Sequence, residues 1–252
     1  MKSETVERFS NRVANYVKYR PGYPIEILEL FREEMGLKRE SVIADLGSGT
    51  GLSAKLFLEN GNTVYGVEPN AAMRAAAEDF LKDFPNFRSI DGTAENTTLP
   101  AASADIVIAA QAFHWFESGP TRSEIKRIAK ENGHVALIWN ERQLDTTPFL
   151  RDYEELLVRF ANDYDAVRHD NVTEEKLTDF FGGRFRHKIF ENRQVFDFEG
   201  LKGRLLSSSY MPAEDDPRFE PMSAALRAVF AKHAEGGRIT VFYDTNVFYA
   251  EV

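Results

Sequence analysis

The stretch VIADLGSGTG, Val42 to Gly51, places glycines at positions 47, 49 and 51 directly after an apolar run. Without a Cβ, such residues let backbone amide and carbonyl groups approach a ligand that other side chains would hold off. A loop of this kind between a strand and a helix suits the carboxylate or phosphate of a nucleotide-like ligand. A dinucleotide fingerprint needs Gly-x-Gly-x-x-Gly. Here the spacing is Gly-x-Gly-x-Gly, and Leu52 stands where the third glycine of that fingerprint belongs. Asp45 precedes the first glycine by two residues; its carboxylate suits an ammonium or sulfonium group and repels a pyrophosphate. Glu68 ends the next apolar run, about twenty residues on, where a carboxylate can accept hydrogen bonds from both hydroxyls of an unphosphorylated ribose. S-adenosylmethionine fits that outline, since its cationic end carries an α-amino group beside a carboxylate.

These residues need a sheet to hold them, and the pattern around them supplies one. VIADLG (42–47), TVYGVEP (63–69), FRSID (87–91), ADIVIAAQAF (104–113) and GHVALIWN (133–140) read as strands, the fourth apolar enough to be buried on both faces. Helical patterns separate them. LSAKLFLEN (52–60) stops at Gly61, Asn70 can cap the helix that follows it, and Met73, Ala76, Ala77, Phe80 and Leu81 fall on one face of that helix. Ser123 to Asn132 is the expected helix before the fifth strand. Beyond Asn140 come two helical patterns, 149–164 and 173–183, then alternating segments at 184–198 and 238–252 with a mostly helical stretch between them. The expected fold is α/β, Rossmann-like and doubly wound, a mostly parallel seven-stranded sheet whose last strand is antiparallel. It forms a single domain over 1–252, with an N-terminal helical cover at 1–36 and helical lid insertions at 141–183 and 199–237.

Composition narrows the chemistry. The chain has 252 residues, enough for a full core. Its 31 basic and 40 acidic side chains give a net charge of −9, which opposes the sequence-independent attraction on which nucleic-acid binding relies. There is no cysteine, which excludes disulfides, thiolate nucleophiles and cysteine-held metal. The histidines at 114, 134, 169, 187 and 233 show no ligand spacing, so no metal is expected. No signal-like N-terminus and no run of ~18 apolar residues is present, and the expected location is cytoplasmic.

Asp45, the glycine run, Glu68 and the strand–helix alternation together resemble the class I S-adenosylmethionine-dependent methyltransferases. The resemblance continues through DGTAENTTLPAASADIVIAAQAFHWF (91–116) and covers most of the chain. It implies a cofactor site made of Asp45, Gly47, Ser48, Gly49, Thr50, Gly51, Glu68, Pro69 and Met73. Thr93, Ala94 and Glu95 would flank the adenine, and Gln111 and Ala112 would lie near the methionine part. Many relatives carry Asp at the position of Thr93 to accept from the adenine amino group, so here Thr93, Glu95 or a backbone carbonyl takes that task. FSNRVANYVKYRPGYP (9–24), AFHWF (112–116) and WNER (139–142) are similar to a narrower branch that includes small-molecule carboxyl methyltransferases of the trans-aconitate type.

Methyl transfer asks for an acceptor in line with the methyl–sulfur bond and shielded from water, and positioning alone supplies ~7–11 kcal/mol. The acceptor belongs outside the carboxyl ends of the strands. His114 and Trp115 follow the fourth strand there, Asn140 and Arg142 the fifth. Tyr19 and Arg20 can fold back as a cover, and Ser209 and Tyr210 are further lid candidates. His114 is either a wall residue or an acid–base group; Trp115 and Phe116 are expected as hydrophobic walls. Arg20 and Arg142 could hold a carboxylate of acceptor or cofactor. The expected partner is a small-molecule methyl acceptor, with no nucleic acid or membrane; the oligomeric state is open. Two rivals stay open as well: an NAD-dependent oxidoreductase, and a protein that binds S-adenosylmethionine without turning it over.

Overall fold

The computed structural model describes residues 18–162, 173–208 and 210–252. The first part of the expected N-terminal cover, Ser209 and His169 lie outside them, and the helix expected over 149–164 stops at Phe160, where Ala161 turns extended. Seven strands, β1 (Val42–Leu46), β2 (Thr63–Val67), β3 (Phe87–Ile90), β4 (Ala104–Ala110), β5 (Ala129–Arg142), β6 (Arg186–Phe196) and β7 (Ile239–Glu251), form one sheet in the order β3-β2-β1-β4-β5-β7-β6. Strands β1 to β5 pair in parallel. Strand β7 lies antiparallel between β5 and β6, so β6 runs with the first five and the sheet is mixed through one reversed strand. The order turns back on itself between β1 and β4, and that is where an open sheet leaves a crevice at its carboxyl edge.

Alternation along the strands sends residues to two covered faces. Ile43, Ile106 and Ile108 pack under α1 (Glu26–Met35) and α2 (Leu52–Glu59), through Ile27, Phe31 and Phe57. Ala44, Leu46, Val107, Leu137 and Trp139 pack on the other side with Ile125 and Ile128 of α4 (Ser118–Ile128) and with Leu177 and Phe180 of α6 (Glu174–Phe181). A third apolar cluster joins α5 (Pro148–Phe160), α7 (Phe198–Leu206) and α8 (Phe219–His233) to Phe196, Ile239, Val241 and Tyr243 at the ends of β6 and β7. The two helices expected as one insertion over 141–183 therefore part company. The Leu177–Phe180 face of α6 completes the sheet's cover, whereas the Leu150, Tyr153 and Leu157 face of α5 joins the third cluster.

Helix α3 (Ala71–Phe80) begins as its cap predicts, with Asn70 Oδ1 accepting from the N–H groups of Ala72 and Met73. Two boundaries differ from the sequence pattern. Strand β4 ends at Ala110 rather than Phe113, because Gln111 takes a left-handed φ of 59° and Phe113–Trp115 coil into a short 3-10 turn. The next helix runs from Ser118 to Ile128 and not from Ser123 to Asn132. Glu95 Oε1 accepts the Glu117 N–H at its start, and Ala129 pairs with Ala104, drawing residues 129–132 into β5.

Candidate active site

The three glycines close the carboxyl end of β1 with φ of 67°, 54° and 83°, a region that disfavours any Cβ. Their surroundings differ. A Cβ on Gly47 would meet Ala112 Cβ at 2.6 Å, and one on Gly51 would meet Leu81 Cδ1 at 2.5 Å. One on Gly49 would meet nothing within 4 Å. Gly47 and Gly51 thus let the loop press against its own protein, while Gly49 keeps backbone open toward the crevice. The loop is tied to β2 by the N–H groups of Gly47 and Ser48, which both donate to Val67 O.

Glu68 is buried at the end of β2. Its Oε2 accepts the Gly49 N–H at 3.0 Å and its Oε1 the Asn70 N–H at 2.9 Å, so one carboxylate joins the glycine loop to the start of α3. Burial pushes its pKa above the ordinary carboxylate range, against those two backbone bonds and the charge of Arg74. Arg74 was not singled out from the sequence. It donates from Nη1 to Glu68 O and from Nη2 to Asp91 Oδ2, linking the ends of β2 and β3. Its position six residues after Glu68, in the first turn past the Asn70 cap, was the available signal.

Asp45 lies deeper than expected, fully buried beneath the loop. Its Oδ2 accepts from Ser53 Oγ at 2.6 Å, while Oδ1, like Thr50 Oγ1, is buried with no hydrogen-bond partner among the described residues. Desolvation raises its pKa to about 7; the Ser53 bond opposes this and the nearby charge of Glu68 adds to it. Buried polar atoms are nearly always satisfied. Two that are not, beside an open glycine backbone and a carboxylate with lone pairs to spare, fit a ligand that brings both donors and a positive charge.

Pro69, Met73 and Ala94 border this region, Met73 and Ala94 being buried. Thr93 is exposed and pairs through its backbone with Asn96. The Glu95 carboxylate is engaged at the start of α4; burial raises its pKa, but the Glu117 N–H and the Thr93 hydroxyl outweigh that and leave it lowered. Ala112 comes to the loop, whereas Gln111 turns to the end of β5. Ala112 packs on Gly47, and Gln111 Nε2 donates to Asn140 O at 3.0 Å.

The residues expected around the acceptor divide. His114 is exposed and packs on Trp115, itself 37% exposed, with ring centroids 4.5 Å apart. Phe116, rather than either, reaches the Gly47 turn. Asn140 is buried and fully used as a joint: Nδ2 donates to Gly22 O, and Oδ1 accepts from Asn192 Nδ2 and Thr245 Oγ1. It fastens the segment after Tyr19 to the carboxyl ends of β5 and β6. Tyr19 lays its ring on Gly203 of α7, where a Cβ would come within 2.1 Å. Arg20 donates to Ser207 O. Arg142 forms an ion pair with Glu154 of α5 and lies over the Tyr153 ring. Tyr210 belongs to the third cluster and accepts the Asn162 N–H through its carbonyl. A separate cavity of about 250 Å³, lined by Met35, Ser41, Asp105 and Lys130, opens at the opposite end of the sheet. Asp105 there is already held by Lys130 and the Val42 N–H.

A doubly wound sheet with reversed β7, a glycine loop after β1 and a carboxylate closing β2 is the outline of a nucleoside-binding α/β protein, with the β1–β4 switch point as its candidate site. Residues 44–137 match the family described as "Methyltransferase domain". The chain is 33% identical to the uncharacterized methyltransferase C25B8.09 of Schizosaccharomyces pombe, over 94% of this chain and 96% of that one. It is 32% identical to the uncharacterized methyltransferase Rv3342 of Mycobacterium tuberculosis, over 72% and 68%. Among solved structures, a proposed type II methyltransferase from Anaeromyxobacter dehalogenans superposes with a TM-score of 0.68 at 23% identity, covering 92% of this chain and 98% of that one. YcgJ of Bacillus subtilis gives 0.53 at 20%, covering 88% and 96%. The chain belongs to the methyltransferase family and is an S-adenosylmethionine-dependent methyltransferase. No helix among the described residues is long and apolar enough to cross a membrane.

Proposed function

We propose that this enzyme methylates an oxygen of a small organic acid, as the resemblance to the trans-aconitate branch implies. The observation that carries the reading is the roof over the acceptor side. The third apolar cluster, with the Tyr19–Gly22 segment strapped to it, stands over the carboxyl ends of β5 and β6, beside the Gln111–Asn140 contact that leads to the glycine loop. Such a roof, acting as a lid, admits a small acceptor and keeps water out. The net charge of −9 favours the same partner over nucleic acid, and a cytoplasmic location is part of this proposal.

When bound, S-adenosylmethionine supplies an electrophilic methyl group on a sulfonium. The chain's part is to hold and orient. Gly49, with Ser48 and Thr50, presents backbone to the methionine end, and Asp45 supplies negative charge below it. Each Glu68 oxygen has one described partner and room for a second, the capacity that two ribose hydroxyls require. Met73 and Ala94 give the adenine an apolar bed, and Ala112 and Phe116 wall the methionine side. An ionised carboxylate acceptor needs no base, which suits the exposed position of His114. S-adenosylhomocysteine release across a panel of small acids, phenols and amines tests the reading. Turnover with acids is expected; turnover confined to phenols or amines would overturn it.

A further inference from the structure

We infer that the guanidinium of Arg204, held by Tyr243 and Ser208 inside the roof, is the anchor for an oxyanion of the methyl acceptor, a carboxylate or a phosphate. The inference rests on the small-acid reading above and names the residue that would recognise the acid.

Arg204 lies in the last turn of α7, in LKGRLL, beside the buried Leu201 and Leu205, and is only 9% exposed. Burying a charge is costly unless it is paired or richly hydrogen-bonded. Every described partner of Arg204 is neutral. Nε donates to Tyr243 Oη at 3.1 Å, and Nη1 to Ser208 Oγ at 3.3 Å and Ser207 Oγ at 3.5 Å. Among the described residues no carboxylate pairs with it, and Nη2 makes no hydrogen bond to any of them. Glu154, the carboxylate that follows Tyr153 on α5, is taken by Arg142. A second guanidinium, that of Arg20, donates to the carbonyl of the same Ser207.

One edge of the guanidinium is fixed and one is left over. Tyr243 donates its own proton to Gln194 Oε1, and Gln194 Nε2 donates to Tyr19 O, so the phenol oxygen is turned to accept from Arg204. Burial raises the pKa of the neighbouring Tyr153 phenol and keeps it neutral, so it offers the cation no charge. The place is right as well. Tyr243 stands in register with Arg142, the last residue of β5, and with Asn192 of β6, on the carboxyl edge that carries the glycine loop. A buried planar fork with a donor to spare, set among neutral hydroxyls, is suited to bidentate recognition of a carboxylate or phosphate.

The test is calorimetric titration of the wild-type protein, Arg204→Gln and Arg204→Lys, each with and without S-adenosylhomocysteine, using benzoate, succinate, phenyl phosphate and the neutral isostere benzamide. Benzoate or succinate is expected to bind the wild type and to lose about ten- to a hundredfold in affinity in Arg204→Gln, with part regained in Arg204→Lys and S-adenosylhomocysteine affinity unchanged. Binding of phenyl phosphate alone, with the same dependence on Arg204, supports the anchor and makes the acceptor a phosphoester. Equal binding of benzoate and benzamide to the wild type overturns the inference even if Arg204→Gln fails to fold, as does the absence of anion binding or its persistence in Arg204→Gln. If the turnover screen finds only amines while benzoate binding still depends on Arg204, the small-acid reading falls and the anion site stands.

Discussion

Replacing Glu68 by Gln separates two tasks that the wild-type carboxylate performs at once. The carboxylate accepts from Gly49 N–H at 3.0 Å and from Asn70 N–H at 2.9 Å. An amide has one oxygen to accept with, so one of those two donors would face an NH₂ group and lose its bond. Leaving a buried donor unsatisfied costs about 1–3 kcal/mol, and the loop and α3 start should loosen by that amount. The amide can also accept from only one side of a ribose, and losing one charge-assisted bond removes roughly 1.5–3 kcal/mol of binding, or about ten- to a hundredfold in affinity. Chemical denaturation gives the first quantity, and calorimetry with S-adenosylhomocysteine the second. Glu68→Ala should weaken binding at least as much. If the variants lose stability while their affinity for S-adenosylhomocysteine is unchanged, Glu68 is a loop staple only and its assignment to the ribose is wrong.

Three further outcomes follow from the same geometry. Asp45, with a pKa raised to about 7 from 3.8, disfavours its ionised form when folded, so its contribution to stability falls as pH rises from about 4 to 7 and stays low above. The shift is worth on the order of 4 kcal/mol, so Asp45→Asn should gain stability over wild type at pH 8 but little near pH 4, and an equal gain at both would refute the burial argument. A bound cation lowers that pKa, so S-adenosylmethionine affinity should rise with pH between 6 and 8 with proton release, read from heats in buffers of different ionisation enthalpy. That release should be smaller in Asp45→Asn. Gly51→Ala forces a Cβ to 2.5 Å from Leu81 at a φ of 83° and should destabilise the fold by more than about 1–2 kcal/mol, whereas Gly49→Ala, with open space, should lose mainly cofactor affinity; the reverse order would undo the division of labour among the glycines. His114→Gln should keep the single-turnover methyl-transfer rate within a few-fold across pH, because an exposed histidine has no proton to remove from an ionised acid; a loss of about a hundredfold, the scale of a general base, would make His114 catalytic.

Much of the local structure of the candidate cofactor site was legible in the sequence because it depends on near neighbours. Asp45, the glycines, Glu68 and the Asn70 cap each lie within a few residues of a strand end, and strand periodicity with glycine and cap chemistry suffices to place them. The sheet's one reversed strand was expected too, although the alternation of residues 184–198 and 238–252 shows strands without showing their direction. What pairs across the chain was not legible. The sequence could not show that Asp45 would be sealed beneath the loop, that Glu95 would be spent on the start of α4, or that Asn140 would tie its own strand to three other segments, one of them 119 residues away from it. Nor could it divide α5 from α6, since both present an apolar stripe and only the shape of the surfaces left uncovered decides which stripe goes where. Arg204 is the sharpest case. Its place between Leu201 and Leu205 marks it as facing inward, but a helix stripe does not tell what waits on the other side. Only the packing of α7 against β7 set a buried guanidinium among phenols and hydroxyls, because desolvation and pairing depend on neighbours that the chain brings together after it folds.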